Sequence, residues 1–555
     1  MQDVSPSLTR GRVVVIVLIA AAVVLGIGLG QRDLWNPNEP TYGRVVVEMV
    51  ESGDWLLPQV NGSPFVEKPV LYYWLAGAAS KVLGTVSATA LRLPVFLIGV
   101  ICVWLVFYLI EAYDGRRSAV IGCALFGTQY AVWFTARNVQ MDSFVMLSTL
   151  GVVAALARRL DHDVSGARSW LLAGAAAGIG FAGKGPVALV VPALVIGGYI
   201  VVGRRPWRRL FEGLPVGLLV FGVLALPWYA ALYFSGHADA LYEVLLRQNV
   251  SRFVAAWDHD QPWWYYLKYF WATFAPWSWF VPIAALTTLR NRARVPNPGR
   301  LLAWIWILAP LIFFSLSDSK REPYMLPIAP AIAWLTARLF DRLGRGELGR
   351  WQVRASATIS GVLGVIFLLA GCYLLSADAV DLPAFDAARG LTAAVLLICA
   401  AIVLSTLLRA RTRRYAPAGV WLAMIALYTF IAVYLHAAVN PMKSHRPLMQ
   451  QVESRLPEGS DLYSLFGPRR QLRGGYAFYL GRSVPDLIDV ERLEQVWSTA
   501  SRPCVLYEGT QYRQQIEALA GAEVVFEGKV GSTEVRMACA AAGAQPLPAG
   551  ASDRV

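Results

Sequence analysis

The chain has 555 residues, of which 56% are hydrophobic and only 16% are charged, and its formal net charge is +13. Soluble globular proteins carry about 25% charged residues, so this composition excludes an ordinary soluble enzyme, a disordered chain and a disulfide scaffold. A chain this apolar buries its surface in lipid or in other helices, which indicates a polytopic helical membrane protein. The basic residues lie in short clusters between apolar runs, a pattern typical of cytoplasmic loops rather than of a nucleic-acid-binding domain.

Thirteen apolar runs are long enough, or nearly long enough, to cross a bilayer. They cover about residues 12–30, 92–111, 118–135, 142–157, 169–183, 186–203, 212–234, 265–289, 301–316, 324–340, 355–376, 391–408 and 417–437. Arginine clusters follow every second run, and all of them are cytoplasmic only if the short run 70–84 does not cross. We therefore predict about thirteen transmembrane helices, a helix at 70–84 lying in the membrane interface, a cytoplasmic N-terminus and a periplasmic C-terminus.

This topology places two long loops and the C-terminal region on the outer face of the membrane. The loops cover residues 31–91 and 236–264, and long loops between membrane helices commonly carry function. From residue 441 the composition turns polar, and strand patterns alternate with helix patterns. We predict a membrane domain over 1–440, a periplasmic α/β domain over 441–542 and a disordered tail over 543–555. A periplasmic location would allow a disulfide between Cys504 and Cys539.

Several cations lie at the predicted outer edge of the membrane, where lysine and arginine are normally rare. They are Lys68, Arg137, Lys184, Lys320 and Arg321. Cations held at headgroup depth against this bias indicate an anionic ligand at the same depth, and a lipid-linked phosphate fits that description. For each residue alone, the alternative is a long side chain that simply extends to the membrane interface.

Three carboxylates and one histidine accompany these cations. Glu39 follows a proline motif in the first loop, Glu67 precedes Lys68, and Asp142 lies between the third and fourth runs. Each carboxylate could contact a reacting centre or a cationic amine, or it could belong to a solvated turn. His259 in the second loop could share a divalent cation with Glu67, and the sequence leaves this metal site open.

The order of these motifs resembles the lipid A 4-amino-4-deoxy-L-arabinose transferases of Gram-negative bacteria, a family of C-type (GT-C) membrane glycosyltransferases. The resemblance covers residues 30–330. Its motifs here are Trp35, Pro37, Glu39 and Tyr42, then Ser52–Trp55, Phe65 with Glu67–Pro69, Asp142, Gly183–Gly185, Arg252–Phe253, His259, Pro262–Tyr266, Lys320 and Pro323–Tyr324. The family usually has aspartate where this chain has Asn38, so Glu39 or Asp142 would have to supply that charge.

The resemblance implies a GT-C fold and the transfer of 4-amino-4-deoxy-L-arabinose from undecaprenyl phosphate to a lipid A phosphate. The reaction would take place at the periplasmic face of the inner membrane and would confer resistance to polymyxin. On this basis we predict Glu39 and Asp142 as catalytic residues. The predicted substrate-binding residues are Tyr42, Arg44, Lys68, Lys184, Arg252, Lys320 and Tyr324.

Two other functions remain open from the sequence. A related polyprenyl-phosphate-dependent glycosyltransferase could act on protein hydroxyls or on another glycan, and it would need a carboxylate as general base. The second alternative is a lipid flippase or transporter that catalyses no reaction. The lack of a recognisable internal repeat argues against a transporter built from inverted halves.

Overall fold

The computed structural model describes residues 9–35, 38–251, 261–290, 297–376, 383–466, 470–487, 490–508, 512–519, 521–530 and 533–541. These residues form two compact units. The first contains the described residues within 1–29, 66–72 and 92–435, and the second contains those within 30–65, 73–91 and 436–555. The predicted tail 543–555 lies outside the described residues.

Helices account for most of the described chain. They are α1 (Arg10–Gly26), α2 (Glu39–Ser52), α3 (Leu71–Leu83), α4 (Ala88–Gly127), α5 (Tyr130–Thr135), α6 (Asp142–Asp161), α7 (Gly166–Lys184), α8 (Val187–Gly203), α9 (Leu214–Ala225), α10 (Pro227–Phe234), α11 (Ala238–Tyr242), α12 (Tyr265–Thr273), α13 (Val281–Arg290), α14 (Pro298–Ser315), α15 (Ala329–Arg345), α16 (Arg350–Leu375), α17 (Pro383–Ser405), α18 (Ala416–Phe430), α19 (His436–Lys443), α20 (Arg446–Arg455), α21 (Arg470–Leu480), α22 (Val490–Thr499) and α23 (Arg513–Glu517).

Shorter helical segments and six strands complete the described structure. The 3-10 segments are Trp207–Leu210, Trp277–Phe280, Glu322–Ile328 and Arg413–Tyr415, and the π-helical segments are Glu243–Ser251 and Ile431–Leu435. The strands are β1 (Gln59–Val60), β2 (Ser63–Pro64), β3 (Asp461–Leu465), β4 (Pro503–Glu508), β5 (Ala522–Val530) and β6 (Thr533–Ala540).

Among the described residues, six helical stretches are long and apolar enough to cross a membrane, and the bent pair α9 and α10 would make a seventh. The prediction of a polytopic helical membrane protein is confirmed. The count of thirteen stays a prediction, since several of the predicted runs fold as shorter or broken helices. One example is the predicted span 118–135, which is divided between the end of α4 and α5, and Gly115 of α4, with φ +81°, separates it from the span 92–111.

Helices α6 and α7 of the first unit approach each other closely because small residues face each other. A Cβ atom on Gly151 would lie 2.4 Å from Ala176 of α7, and one on Gly180 would lie 2.4 Å from Ser148 of α6. Small residues allow this close approach in membrane proteins, where dispersion contacts between helices replace the hydrophobic effect. The packing fixes the relative position of the two ends that carry Asp142 and Lys184.

The second unit contains a four-stranded mixed sheet in the order β3-β4-β6-β5. β3 and β4 are parallel, whereas β6 is antiparallel to both of its neighbours. One face of the sheet packs against residues of α20 and α21, such as Val452 and Tyr476. The other face packs against Leu493 and Trp497 of α22. The strand and helix patterns of the C-terminal region therefore correctly indicated an α/β fold.

A disulfide joins Cys504 of β4 to Cys539 of β6, which lie directly opposite each other in the sheet. The second unit also contains most of α3, which occupies the position of the helix predicted at 70–84. At 13 residues, α3 has a length of about 20 Å, too short to cross a hydrocarbon core of about 30 Å.

Candidate functional site

A cavity of about 110 Å3 in the first unit, called the acidic-basic cavity below, gathers five of the predicted site residues. Its lining residues are Glu67, Lys68, Asp142, Val145, Lys184, Val187, Gln248, Phe314, Ser317, Ser319, Arg321, Pro323, Tyr324 and Pro327. Three cations and two carboxylates therefore meet a wall of aliphatic, aromatic and proline side chains. Such a mixed lining suits a molecule that has both an anionic group and an apolar part.

Asp142 and Lys184 form the central ion pair of this cavity. Nζ of Lys184 lies 3.0 Å from Oδ2 of Asp142, and only 15% and 13% of the two side chains are exposed. Asp142 is the first residue of α6, and Lys184 is the last residue of α7. A Cβ atom on Gly183 would lie 2.3 Å from the ring of Phe144, so glycine is required where the end of α7 packs against α6.

Two further cations lie near the Asp142 carboxylate. Both Lys68 and Arg321 interact with it electrostatically, in addition to Lys184. The Lys68 ammonium donates a hydrogen bond of 3.0 Å to the backbone carbonyl of Glu67. One largely buried carboxylate thus pairs with Lys184 and attracts two further cations of the same cavity, which lowers the repulsion among the three.

The segment that carries Arg321 and Tyr324 is held in place by Tyr266 of α12. The hydroxyl of Tyr266 donates to the backbone carbonyl of Arg321 at 3.3 Å and accepts from the amide of the same residue at 3.3 Å. Tyr324 packs its ring against Phe314 at the end of α14, with 5.7 Å between ring centroids. Arg321 was named as an external cation but was not predicted as a site residue, and Gln248 was missed altogether.

Lys320 does not line the acidic-basic cavity, although the sequence predicted it as a substrate-binding residue. Its side chain is buried, and its ammonium donates to the backbone carbonyls of Ser317 and, at 2.7 Å, of Gln261. Adjacent residues of an irregular segment point in different directions, so the sequence could not indicate which of Lys320 and Arg321 faces the cavity. Lys320 connects the backbone of Ser317 to that of Gln261, and its role in substrate binding stays a prediction.

Arg137 likewise has a local structural role. Nη1 of Arg137 donates a hydrogen bond of 2.9 Å to the carbonyl of Leu25, and Nη1 of Arg92 donates one of 2.8 Å to the carbonyl of Leu29. The Leu25 carbonyl lies in the last turn of α1, where a helix lacks backbone donors and its dipole favours cations, and Leu29 lies in the turn that follows. Three of the five predicted outer-edge cations therefore line the cavity, and two satisfy backbone carbonyls.

Glu39, predicted as catalytic, lies in the second unit and forms a buried ion pair with Arg32. Its two carboxylate oxygens accept from the guanidinium at 2.7 Å and 3.3 Å, and the backbone amide of Trp35 donates to it at 3.0 Å. The side chains of Arg32 and Glu39 are only 3% and 5% exposed. This bidentate pair joins Arg32 to the first residue of α2.

Tyr42 and Arg44 also belong to the second unit. Tyr42 is buried and makes edge contacts with the rings of Phe65 and Tyr73. Nε of Arg44 lies 2.7 Å from a carboxylate oxygen of Glu48, and both residues line a second-unit cavity of about 240 Å3. The roles predicted for Glu39, Tyr42 and Arg44 in substrate handling stay predictions.

A polar network within the second unit joins the start of the first loop to α19 and to the residues that follow it, and no sequence pattern predicted it. Asp33 accepts hydrogen bonds from Asn440 at 2.9 Å and Ser444 at 2.8 Å, and it pairs with Arg446 at 2.9 Å. Tyr479 donates to the carbonyl of Leu34 at 2.7 Å. Burial and the nearby carboxylate of Asp33 raise the pKa of Tyr479, so the phenol keeps the proton that it donates.

Two predicted residues, Arg252 and His259, lie outside the described residues. Within the described residues, no group of three or more histidine, cysteine, aspartate or glutamate side chains could hold a metal ion. Glu67 lines the acidic-basic cavity and has the carboxylate that a divalent cation requires. The metal site of Glu67 and His259 therefore stays a prediction.

Comparison with known proteins adds the family context. Residues 67–230, which contain Glu67, Lys68, Asp142 and Lys184, match the family described as dolichyl-phosphate-mannose-protein mannosyltransferase. The undecaprenyl phosphate-alpha-4-amino-4-deoxy-L-arabinose arabinosyl transferase of Aeromonas salmonicida is 29% identical over 344 residues, which cover 61% of this chain and 62% of that protein. Its counterpart in Pectobacterium atrosepticum is 28% identical over 456 residues, covering 79% of each chain.

Solved structures extend the similarity to the whole chain. ArnT from Cupriavidus metallidurans bound to undecaprenyl phosphate superposes with a TM-score of 0.75 at 22% identity, covering 95% of this chain and 98% of that one. The oligosaccharyltransferase of Archaeoglobus fulgidus in the apo form gives a TM-score of 0.52 at 12% identity, with 99% and 76% covered. The resemblance found in the motifs is confirmed, and the chain has the GT-C fold of these membrane proteins.

Proposed function

We propose that this protein transfers 4-amino-4-deoxy-L-arabinose from undecaprenyl phosphate to a phosphate of lipid A. The observation that carries the proposal is the acidic-basic cavity, in which Lys68, Lys184 and Arg321 surround Asp142 beside an apolar wall. The curated relatives carry the name of this transferase, and the Cupriavidus structure was solved with undecaprenyl phosphate. The alignment with the Aeromonas relative covers 62% of its length, so the activity and both substrates are proposals for this chain.

The cations of the cavity suit a reaction between two phosphates. A phosphate oxygen of the acceptor attacks the anomeric carbon of the sugar and forms a new carbon–oxygen bond. The bond between that carbon and the donor phosphate breaks, and undecaprenyl phosphate leaves with the electron pair. The acceptor is already anionic at neutral pH, so this step requires no proton transfer.

The difficult tasks in this reaction are to bring two anions together and to stabilise the leaving phosphate. Lys68, Lys184 and Arg321 would perform both tasks, because preorganised cations in a partly dehydrated cavity stabilise phosphate charge strongly. Asp142 holds Lys184 in position and would contact the cationic amine of the sugar or the reacting centre. Phe314 and Tyr324 would pack against the sugar or the first isoprene units of the donor.

The test is the mass of lipid A from cells that lack their own transferase and express this chain. We expect lipid A to gain the mass of one aminoarabinose, and we expect Lys68→Ala and Lys184→Ala to abolish the gain. Lys529→Ala, which removes an exposed lysine of β5, is the matched control and should leave the gain intact. An unchanged lipid A mass in cells with inserted wild-type protein would refute the proposal.

A hydroxyl acceptor is the second candidate function, and the match of residues 67–230 to protein mannosyltransferases favours it. In this case Asp142 would have to accept a proton from the hydroxyl, and the rate would fall as the carboxylate becomes protonated at acid pH. Unchanged lipid A together with glycosylated membrane proteins would support this candidate.

We further propose that the protein resides in the bacterial inner membrane with the acidic-basic cavity toward the periplasm. The arginine clusters between the apolar runs support a cytoplasmic N-terminus and a periplasmic C-terminus. A cysteine-labelling or reporter-fusion experiment at both termini tests this orientation. A C-terminal reporter active only in the cytoplasm would contradict it.

A further inference from the structure

The first unit contains another cavity, of about 40 Å3, which is called the second cavity below. It lies near the N-terminal end of α14 and the C-terminal end of α15, whereas the acidic-basic cavity lies near the opposite ends of these helices. In α14, Arg300 lines the second cavity and Phe314 lines the acidic-basic cavity, which places them about 21 Å apart along the helix. In α15, Arg338 and Arg342 near the C-terminal end line the second cavity, whereas Pro327, just before the helix, lines the acidic-basic cavity. The two cavities are thus close to opposite ends of the same helices.

Three arginines line the second cavity, namely Arg300, Arg338 and Arg342, and their charges are only partly balanced. Arg338 pairs with Asp114, with 2.5 Å between Nη1 and Oδ1, and Arg342 lies 3.5 Å from a carboxylate oxygen of Glu347. The side chain of Arg300 has no hydrogen bond or ion pair with any described residue. The charges of Arg338 and Arg342 repel that of Arg300, so an anion between them would lower the electrostatic energy.

An unpaired hydroxyl lines the same cavity. Thr287 of α13 is 7% exposed, and its Oγ1 atom has no hydrogen-bond partner among the described residues. The neighbouring Thr288 also lines the cavity, but its hydroxyl donates to the carbonyl of Ala284 at 2.8 Å. A buried hydroxyl without a partner is unfavourable, so a polar group in the cavity that reached Oγ1 of Thr287 would stabilise it.

We propose that this second cavity binds a phosphate group, held by the guanidinium groups of Arg300 and Arg342 and by the hydroxyl of Thr287. Guanidinium groups match phosphate oxygens in geometry and charge, and they are weakly hydrated. The volume of about 40 Å3 admits a few water-sized groups, as the free oxygens of a phosphate require. The phosphate could belong to the headgroup of an anionic phospholipid or to inorganic phosphate. The site takes no part in the proposed transfer reaction.

Native mass spectrometry of the purified full-length chain in detergent tests the proposal, with phosphatidylglycerol, phosphatidylcholine and inorganic phosphate as separate probes. We expect the wild type to retain phosphatidylglycerol in preference to phosphatidylcholine. Arg300→Gln and Arg342→Gln should each weaken this retention about tenfold, because each removes a charge-assisted hydrogen bond. If the wild type also retains inorganic phosphate, and the same two substitutions weaken that retention, the site recognises the phosphate group alone. If the wild type retains no inorganic phosphate, the site recognises the lipid headgroup.

The matched control is Arg411→Gln, which removes an exposed arginine outside the cavity and changes the net charge equally. Thr287→Val tests the hydroxyl without any change of charge and should also weaken binding. If Arg300→Gln fails to fold, the comparison rests on Arg342→Gln, whose side chain is 38% exposed in the wild type. Equal retention by Arg411→Gln, Arg342→Gln and Thr287→Val would overturn the proposal, as would equal retention of both lipids by the wild type.

Discussion

The ammonium of Lys184 lies 3.0 Å from the carboxylate of Asp142, at the point where the end of α7 meets the start of α6. The pair is nearly buried, and Lys68 and Arg321 also interact with the same carboxylate. Asp142 therefore compensates several cations at once. Its loss should disturb the cavity more than the loss of any single cation.

This asymmetry predicts the order of two stability effects. We expect Asp142→Asn to lower the melting temperature in detergent more than Lys184→Met, since the first leaves three lining cations with only the carboxylate of Glu67 among the described lining residues. Removing one partner of a buried pair costs about 3–5 kcal/mol, and the remaining cations should reduce that cost for Lys184→Met. The double variant should be more stable than Asp142→Asn alone. A larger loss for Lys184→Met would show that Asp142 does not have this shared role.

The packing of α7 on α6 predicts the effect of a single methyl group. Gly183→Ala would place its Cβ atom 2.3 Å from the ring of Phe144, so the end of α7 would have to move away from α6. We expect a loss of about 1–3 kcal/mol and a strong loss of transfer activity, because Lys184 moves with Gly183. Gly197→Ala in α8, where no atom lies within 4 Å of the added Cβ, is the control. Equal behaviour of the two variants would contradict the packing argument.

Arg321 and Lys320 should differ sharply although they are neighbours. We expect Arg321→Gln to keep the wild-type melting temperature and to weaken donor binding by about tenfold or more, the value of a lost charge-assisted hydrogen bond. Lys320→Met should instead lower the melting temperature, because it leaves the carbonyls of Ser317 and Gln261 without their donor. Donor titration and thermal unfolding of both purified variants check this. A binding defect confined to Lys320→Met would reverse the assignment.

Substitutions in the ion pair of Arg32 and Glu39 can distinguish a structural role of Glu39 from a catalytic role. If Glu39 acts through this pair, Glu39→Gln should lower the melting temperature, and the double variant Arg32→Met with Glu39→Met should recover part of the loss. Thermal unfolding and turnover are measured on the same preparations. A Glu39→Gln protein that melts like the wild type but transfers no sugar would instead support the catalytic role predicted from the motif.

Sequence patterns predicted the membrane class, the α/β character of the C-terminal region and five of the residues that line the acidic-basic cavity. Composition predicts the membrane class, and periodicity predicts the strands and helices. The order of the motifs predicts site residues such as Lys68, Asp142 and Lys184. The patterns could not show that Lys320 and Arg137 turn toward backbone carbonyls, since a cation on an irregular segment can face either way. They also missed Asn440 and Arg446, whose contacts with Asp33 bridge about 400 residues of chain.

Binding of undecaprenyl phosphate to the purified protein is the sharpest test of the cavity's function, because it depends on the acidic-basic cavity and on no later step. We expect native mass spectrometry to find the lipid bound to the wild type and to Lys529→Ala. Lys68→Ala, Lys184→Ala and Arg321→Gln should each bind it about tenfold more weakly or worse. Equal binding by all five folded proteins would contradict the claim that these cations hold the donor phosphate.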